Sequence, residues 1–325
     1  MVDIQAKAIE QELYDMGVFK SLSTCITGEV KKVIVGKDTL IQDILIALLS
    51  EGNIMLDGVP GLAKTSIAKA FAATLDLDFK RLQFVPDILP SDITGTYVYN
   101  QNDSSFSLKK GPIFTNILLV DEVNRASPKT QSSLLEAMEE KQVSIDGTTM
   151  PLPYPFMVIT TQNPIDIIGT FPLPEAQIDR FMFKLNVDYP TPEEELDILK
   201  AKNENACGAV ERVLAADDVV NLINIVRQVH VDDKVIEYIR DLILASRSHE
   251  KILLGGSPRA SIALLKASKA VAAIDGRDYV IPDDIKYLAP RILNHRLIIK
   301  PEYEFENITT FDIIEELLNT VKIPA

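Results

Sequence analysis

The stretch Asp57-Gly58-Val59-Pro60-Gly61-Leu62-Ala63-Lys64-Thr65 decides how this chain folds. The apolar run Ile54-Met55-Leu56 precedes it, and Ser66-Ile67-Ala68-Lys69-Ala70-Phe71-Ala72, with helical character, follows it. A strand, a glycine-rich turn, Lys-Thr and a helix form the context that a phosphate-binding loop requires. Backbone N–H groups of such a turn converge on phosphate oxygens, and the helix N-terminus adds partial positive charge. Lys64 would face the β- and γ-phosphates, and the Thr65 hydroxyl would hold Mg²⁺. Gly58, Val59, Pro60, Gly61, Leu62, Ala63, Lys64, Thr65 and the adjoining Ser66 are the candidate nucleotide contacts. Ala63 stands where the consensus GxxxxGK(S/T) has its second glycine. Alanine disfavours positive φ, so the loop is expected to keep φ negative there or to follow a slightly shifted path. An ordinary strand-to-helix turn is the alternative, and the rest of the chain must decide.

Working outward, a chain of 325 residues suggests two domains. With 46% hydrophobic and 25% charged residues it has the composition of a globular protein with a sizeable core. A net charge of −14 argues against a general affinity for nucleic acid. Cys25 and Cys207 match no metal or redox spacing and read as reduced thiols, and His230, His249 and His295 are scattered. The N-terminus lacks a basic and then apolar leader, and no apolar run reaches membrane-spanning length. A cytoplasmic protein without membrane insertion is the expectation.

Residues 3–32 read as largely helical, and Asp38 as the N-cap of a helix reaching about residue 49. Strands are expected at 53–56, 80–84, 117–120, 156–160 and 181–187, and a helix at 127–141. Alternation at 96–99 and 105–108, around a polar centre, predicts one hairpin; Asp146-Gly147 predicts a second over 142–152. Tyr97, Tyr99 and Phe106 have no obvious core to fill if the first hairpin projects. Strands alternating with helices up to residue 187 indicate an α/β fold with a parallel sheet. Beyond Tyr189-Pro190-Thr191-Pro192 the strands stop, and helices are expected at 193–203, 219–229, 233–249, 259–273 and 282–295. The boundary falls there: residues 1–189 form an α/β core with two hairpins, and 190–325 an all-helical domain.

Asp121-Glu122 closes the buried strand at 117–120, at the end where open α/β sheets bind ligands. Asp121 suits Mg²⁺, and Glu122 suits polarising an attacking water. Asn163, in Thr161-Gln162-Asn163-Pro164, can hydrogen-bond that water or the γ-phosphate; a plain Asn-Pro turn is its other reading. Arg180 precedes the strand at 181–187 and reads as an arginine finger for a neighbouring subunit, with Arg125 as its rival, or else as a surface ion pair. Arg259, in Gly255-Gly256-Ser257-Pro258-Arg259, opens a helix of the second domain and could lean onto the phosphates from there, or be an exposed helical arginine.

This order of elements resembles an AAA+ ATPase, and more closely the MoxR branch. The residues that carry the resemblance are Gly58 to Thr65, Gly111-Pro112-Ile113-Phe114, Asp121-Glu122-Val123-Asn124-Arg125-Ala126 and Gln131-Ser132-Ser133-Leu134-Leu135-Glu136-Ala137-Met138. Thr161-Gln162-Asn163-Pro164, Pro172-Leu173-Pro174-Glu175-Ala176-Gln177-Ile178-Asp179-Arg180-Phe181 and Gly256-Ser257-Pro258-Arg259-Ala260 complete it. Alanine before the P-loop lysine is usual in that family. The resemblance implies a five-stranded parallel AAA+ core with two inserted hairpins, a helical lid, and ATP and Mg²⁺ as cofactors, with Val35 and Gly36 among the nucleotide contacts. It implies a ring, usually a hexamer, that acts in chaperone-like maturation of protein clients, including metal insertion, with partners that often carry a von Willebrand factor A domain. The competing readings are a nucleic-acid motor or transcription-related ATPase, a magnesium-chelatase ATPase subunit, and a non-enzymatic nucleotide-binding scaffold. The acidic balance disfavours the motor, the match around 121–138 and 172–181 favours MoxR over the chelatase, and the pair Asp121-Glu122 disfavours the scaffold.

Overall fold

The computed structural model of the chain describes residues 16–59, 61–102, 104–162, 170–203 and 208–324. Pro60, Asn163, Cys207 and the first part of the helix expected at 3–32 lie outside the described residues. That helix is seen as α1 (Met16–Lys31), and α2 (Asp38–Leu49) follows. α2 buries nine of its 12 residues, and a helix apolar nearly all round belongs inside a core. Lys37, left-handed at φ 66, holds its N-cap position, so Asp38 is the first helical residue and not the cap that the sequence suggested. Its carboxylate still lies in the first turn, where the helix dipole favours negative charge.

The core continues through β1 (Ile54–Asp57), α3 (Lys64–Thr74), β2 (Phe79–Gln83), α4 (Pro90–Thr94), β3 (Gly95–Asn100), β4 (Ser105–Lys110) and β5 (Ile117–Asp121). Next come α5 (Pro128–Glu140), β6 (Gln142–Ile145), β7 (Thr148–Pro151), β8 (Met157–Gln162), α6 (Glu175–Ile178) and β9 (Phe183–Asn186). Five strands form one parallel sheet in the order β2-β5-β8-β1-β9. All five residues of β5 are buried, as a strand covered on both faces requires. Side chains alternate across a strand, so Ile117 and Leu119 enter one apolar cluster, with α1, α2 and α3, while Leu118 and Val120 enter the other, with α5. Each fully buried Leu or Ile of this kind contributes about 1.5–3 kcal/mol.

The two expected hairpins are present as β3–β4 and β6–β7. Tyr97 packs against the core after all. Tyr99 and Phe106, in contrast, are 49% and 69% exposed, with ring centroids 5.2 Å apart.

A mainly helical region follows: α7 (Pro192–Asn203), α8 (Ala216–Gln228), α9 (Asp233–Ser248), β10 (Ile252–Leu254), α10 (Pro258–Ile274) and α11 (Pro282–Leu293). It ends with β11 (Ile298–Ile299), α12 (Pro301–Glu304) and α13 (Thr310–Thr320). Strands therefore do not stop at residue 189: β10 and β11 pair antiparallel. They are too short, at three and two residues, to leave a periodic trace in the sequence. The helical region shares the apolar cluster of α1, α2 and α3. Two polar ties reinforce the joint. Buried Asp43 on α2 accepts hydrogen bonds from Arg291 Nε at 2.8 Å and the Tyr287 hydroxyl at 3.1 Å. Arg296, 2% exposed, donates to Asp179 Oδ1 at 2.8 Å and to the carbonyls of Asp179 and Met182 at 2.9 and 3.1 Å. An arginine this buried is held by those acceptors, since an unpaired charge there would be strongly destabilising.

Candidate active site

The loop between β1 and α3 opens at the carboxyl end of the sheet. Gly61 adopts φ 89, a backbone conformation that glycine takes without steric cost. Ala63 adopts φ 56 and ψ 18. The expected negative φ is therefore overturned: the loop keeps the left-handed turn and alanine occupies it, at a cost of about 1–2 kcal/mol. Lys64 begins α3, and its Nζ donates to the Gly58 carbonyl at 2.6 Å. Partial burial lowers the affinity of this amine for its proton, against the pull of Asp121, Asp57 and Glu122.

Gly58, Gly61, Leu62, Ala63, Lys64, Thr65 and Ser66 line one cleft of about 310 Å³, and Asp121 and Glu122 face them across it. Asp121 is buried; its Oδ1 accepts from the Thr161 hydroxyl at 3.1 Å and its Oδ2 from Arg81 Nε at 2.6 Å. Glu122 is left-handed at φ 58, its N–H donates to Thr161 Oγ1 at 3.0 Å, and its Oε2 lies 2.8 Å from Arg125 Nε. Thr161, at the end of β8, thus fixes both carboxylate residues. Thr161, Arg81 and Gln83 line the cleft and were missed as site residues from the sequence. The period of β2 was the available signal for the last two, which lie on one face at i and i+2.

A second cleft, about 730 Å³, adjoins the first across the ends of β1 and β9 and is lined in part by Gly36, Lys37, Asp43, Val187, Arg291 and Phe311. Gly36 has φ 71, and a Cβ there would run into the Glu194 carboxylate. Val35, half-buried, is not among the lining residues. The cleft has room for a base and sugar beside the phosphate loop.

Arg180 and Arg259 do not join the phosphate cleft; they line another of about 350 Å³. The expectation that Arg259 leans onto the phosphates of its own chain is not met in this arrangement. Arg259 Nη2 donates to Glu139 Oε1 at 2.5 Å, and its Nη1 lies 4.0 Å from Asp179. Arg180 Nε lies 3.4 Å from Glu139 Oε2, near enough for ion pairing but not aligned for a hydrogen bond, so this buried nitrogen has no hydrogen-bond partner. One carboxylate, Glu139, therefore brings together an arginine of the core and one of the helical region. Topology explains why they stand apart from the loop. Met182 N–H bonds the Asn53 carbonyl, so Arg180 enters at the amino end of the sheet. The phosphate loop leaves at the carboxyl end, four strand residues or about 13 Å away.

Known proteins agree with this architecture. Residues 53–183 match the family model "ATPase family associated with various cellular activities (AAA)", and residues 244–317 match the AAA lid domain. YeaC of Bacillus subtilis is 49% identical over 297 residues, which cover 91% of this chain and 93% of that protein. Chaperone MoxR1 of Mycobacterium tuberculosis is 42% identical over 305 residues, 91% of this chain and 81% of that protein. A crystal structure from Cytophaga hutchinsonii, described as that of a candidate ATPase, superimposes with a TM-score of 0.90 at 43% identity, covering 99% of this chain and 100% of the other. The parallel sheet with its phosphate loop and acidic pair, the lid and these relatives lead to one conclusion: the chain belongs to the MoxR family of AAA+ ATPases.

Proposed function

We propose that this chain hydrolyses ATP with Mg²⁺ in a ring assembly and uses the cycle to remodel or mature a protein partner. One observation carries the reading: Lys64 and Thr65 share a cleft with Asp121 and Glu122, while two arginines wait at the opposite edge of the same sheet. The Thr65 hydroxyl and Asp121 carboxylate are hard oxygen donors of the kind Mg²⁺ selects. Bound there, the ion would neutralise charge on the β- and γ-phosphates. Lys64 gives up the Gly58 carbonyl to face phosphate oxygen. Glu122, once released from Arg125, orients and deprotonates the attacking water. Asn163 is assigned to hold that water or the γ-phosphate. Gly36 contacts the base, and Val35, beside it in the chain, supports the turn that presents it. We assign the core to residues 1–189 and the lid to 190–325.

Arg180 and Arg259 serve a neighbouring subunit, since each stands away from its own phosphate loop. One carboxylate, Glu139, pairs with both guanidinium groups, and guanidinium binds phosphate oxygens as it binds carboxylate. A hexamer is the expected ring and the cytoplasm the expected compartment. Among the described residues no helix is long and apolar enough to cross a membrane. The exposed Tyr99 and Phe106 at the tip of β3–β4 are the contact we assign to the client. Metal insertion, and a partner bearing a von Willebrand factor A domain, are the forms of this work that the family suggests.

Glu122→Gln keeps the shape of the side chain and removes the base, so ATP should bind and persist, whereas Lys64→Ala should lose nucleotide binding. The trapped Glu122→Gln protein should retain a protein partner in a pull-down, and shortening the hairpin between Tyr99 and Phe106 should weaken that retention while ATP still binds. Equal loss of ATP affinity in both point variants would overturn the assigned roles. Recovery of nucleic acid, with affinity falling steeply as salt rises, would favour a motor.

A further inference from the structure

The acidic residue assigned to the metal already has a cation of its own. Strands β2 and β5 pair with Arg81 opposite Leu119 and Gln83 opposite Asp121. Arg81 and Gln83 therefore share the face that turns toward the end of β5. Arg81 Nε donates to Asp121 Oδ2 at 2.6 Å, and its Nη2 donates to Gln83 Oε1 at 3.2 Å. The other oxygen of Asp121 accepts from Thr161 at 3.1 Å. Both carboxylate oxygens are thus occupied by the protein itself. The Asp121 side chain is 10% exposed and that of Arg81 is 52% exposed. The carboxylate is fixed in the floor of the cleft, while the guanidinium sits on a long stem with room to swing.

We propose that Arg81 is the resident counter-cation of Asp121 and yields this carboxylate to the divalent metal that arrives with nucleotide. The inference rests on the assignment of Mg²⁺ to Thr65 and Asp121 made above. A buried carboxylate without a partner is strongly disfavoured. Lys64, the other cation lining this cleft, is engaged by the Gly58 carbonyl. Arg81 fills that need while no metal is present. A divalent ion drawn to Asp121 meets the guanidinium as a like charge at short range, and only one of them can be the close neighbour of Oδ2. The bond from Arg81 to Gln83 places the change at the end of β2, with six residues between it and α4 and the β3–β4 hairpin that follows. Metal loading would then be felt on the segment that presents Tyr99 and Phe106.

The test measures the Mg²⁺ concentration for half-maximal binding of a fluorescent ADP analogue to the full chain. Arg81→Gln removes the competing charge, so the requirement for Mg²⁺ should fall roughly three- to tenfold, the range of a charge-assisted contact that is partly screened. Arg81→Lys keeps a positive charge within reach of Asp121 and should stay within about twofold of wild type. In an Asp121→Asn background the same Arg81→Gln change should have no effect. A second readout needs no ligand: Arg81→Gln should lower the melting temperature of nucleotide-free protein and leave that of the Mg²⁺–ADP complex nearly unchanged. An Mg²⁺ requirement that is unchanged or raised in Arg81→Gln, or one that shifts equally in the Asp121→Asn background, would overturn the proposal. Wild-type binding indifferent to Mg²⁺ would overturn the metal assignment itself, and this proposal with it.

Discussion

The assignment of Arg180 to a neighbouring subunit gives the sharpest prediction. Among the described residues the Arg180 side chain is paired with Glu139 alone, at 3.4 Å, and it is 32% exposed. A pair of that kind contributes about 0–1 kcal/mol to folding, so Arg180→Ala should leave the protein folded. An arginine finger is worth roughly 10³-fold or more in rate, which corresponds to about 4 kcal/mol of transition-state stabilisation. Activity should therefore collapse while stability barely moves. Lys64→Ala should also be inactive, but its arginine remains intact. When the two inactive variants are mixed in equal amounts and assemble at random, roughly one interface in four joins an intact phosphate loop to an intact finger, whatever the ring size. ATPase activity of the mixture should rise to about a quarter of wild type on that count. The assay is steady-state phosphate release, with mass measurement to establish that mixed assemblies form. Mixed assemblies without recovered activity would refute the trans role of Arg180, and the same experiment with Arg125→Ala would then test its rival.

Two further outcomes follow from the joint between core and lid and from a desolvated amine. Asp179 accepts from Arg296 and from the Ser257 hydroxyl, at 2.8 Å and 2.9 Å. Asp179→Asn leaves the Arg296 charge with carbonyl partners only and should cost about 2–4 kcal/mol, measured by chemical denaturation; a loss below about 0.5 kcal/mol, the size of an ordinary surface substitution, would show that the carbonyls suffice. Lys141 is half-buried, with Nζ donating to the Phe156 carbonyl at 3.1 Å, and desolvation of the amine pulls its pKa down from 10.5 to about 8. Between about pH 8 and 10.5 the unfolded chain holds a proton that the folded one has released, so this group makes stability rise with pH across that window and adds nothing to the slope below it. Lys141→Met should remove that rise; parallel pH profiles for the variant and wild type would contradict it.

Much of the core was legible because its signals are local. Gly61, Lys64 and Thr65 lie within one turn, β5 is a continuous apolar run, and Asp146-Gly147 marks its hairpin without help from the rest of the chain. The misses share a different cause. β10 and β11 are defined only by each other. Lys37 and Ala63 take left-handed conformations that neither side chain favours, so the surrounding structure imposes them. Arg81 was passed over because its partner is 40 positions away and is reached through the β2–β5 register. Glu139 looked like one more acid in the polar face of α5, and only the fold shows it between Arg180 and Arg259.

The placement of the arginines follows from the sheet itself. β1 and β9 run parallel, with Ile54 beside Phe183 and Asp57 beside Asn186. Whatever follows β1 leaves at one end, and whatever precedes β9 arrives at the other. Sequence order lists the phosphate loop, the acidic pair and the arginines as one set, but a parallel sheet sorts them onto two edges. α5 makes the same crossing: it starts just past Glu122 and carries Glu139 back to the edge where Arg180 sits. The lid is fastened to that edge through Arg296 and Ser257 on Asp179, and Arg259 comes with it. For Arg259 to reach its own phosphate loop, the Asp179 contacts would have to open and the lid would have to travel about the length of a strand. For it to reach a neighbour's loop, only the half-exposed ion pair with Glu139 and the longer contact with Asp179 at 4.0 Å would have to yield. The smaller rearrangement favours a site completed between two copies of the chain.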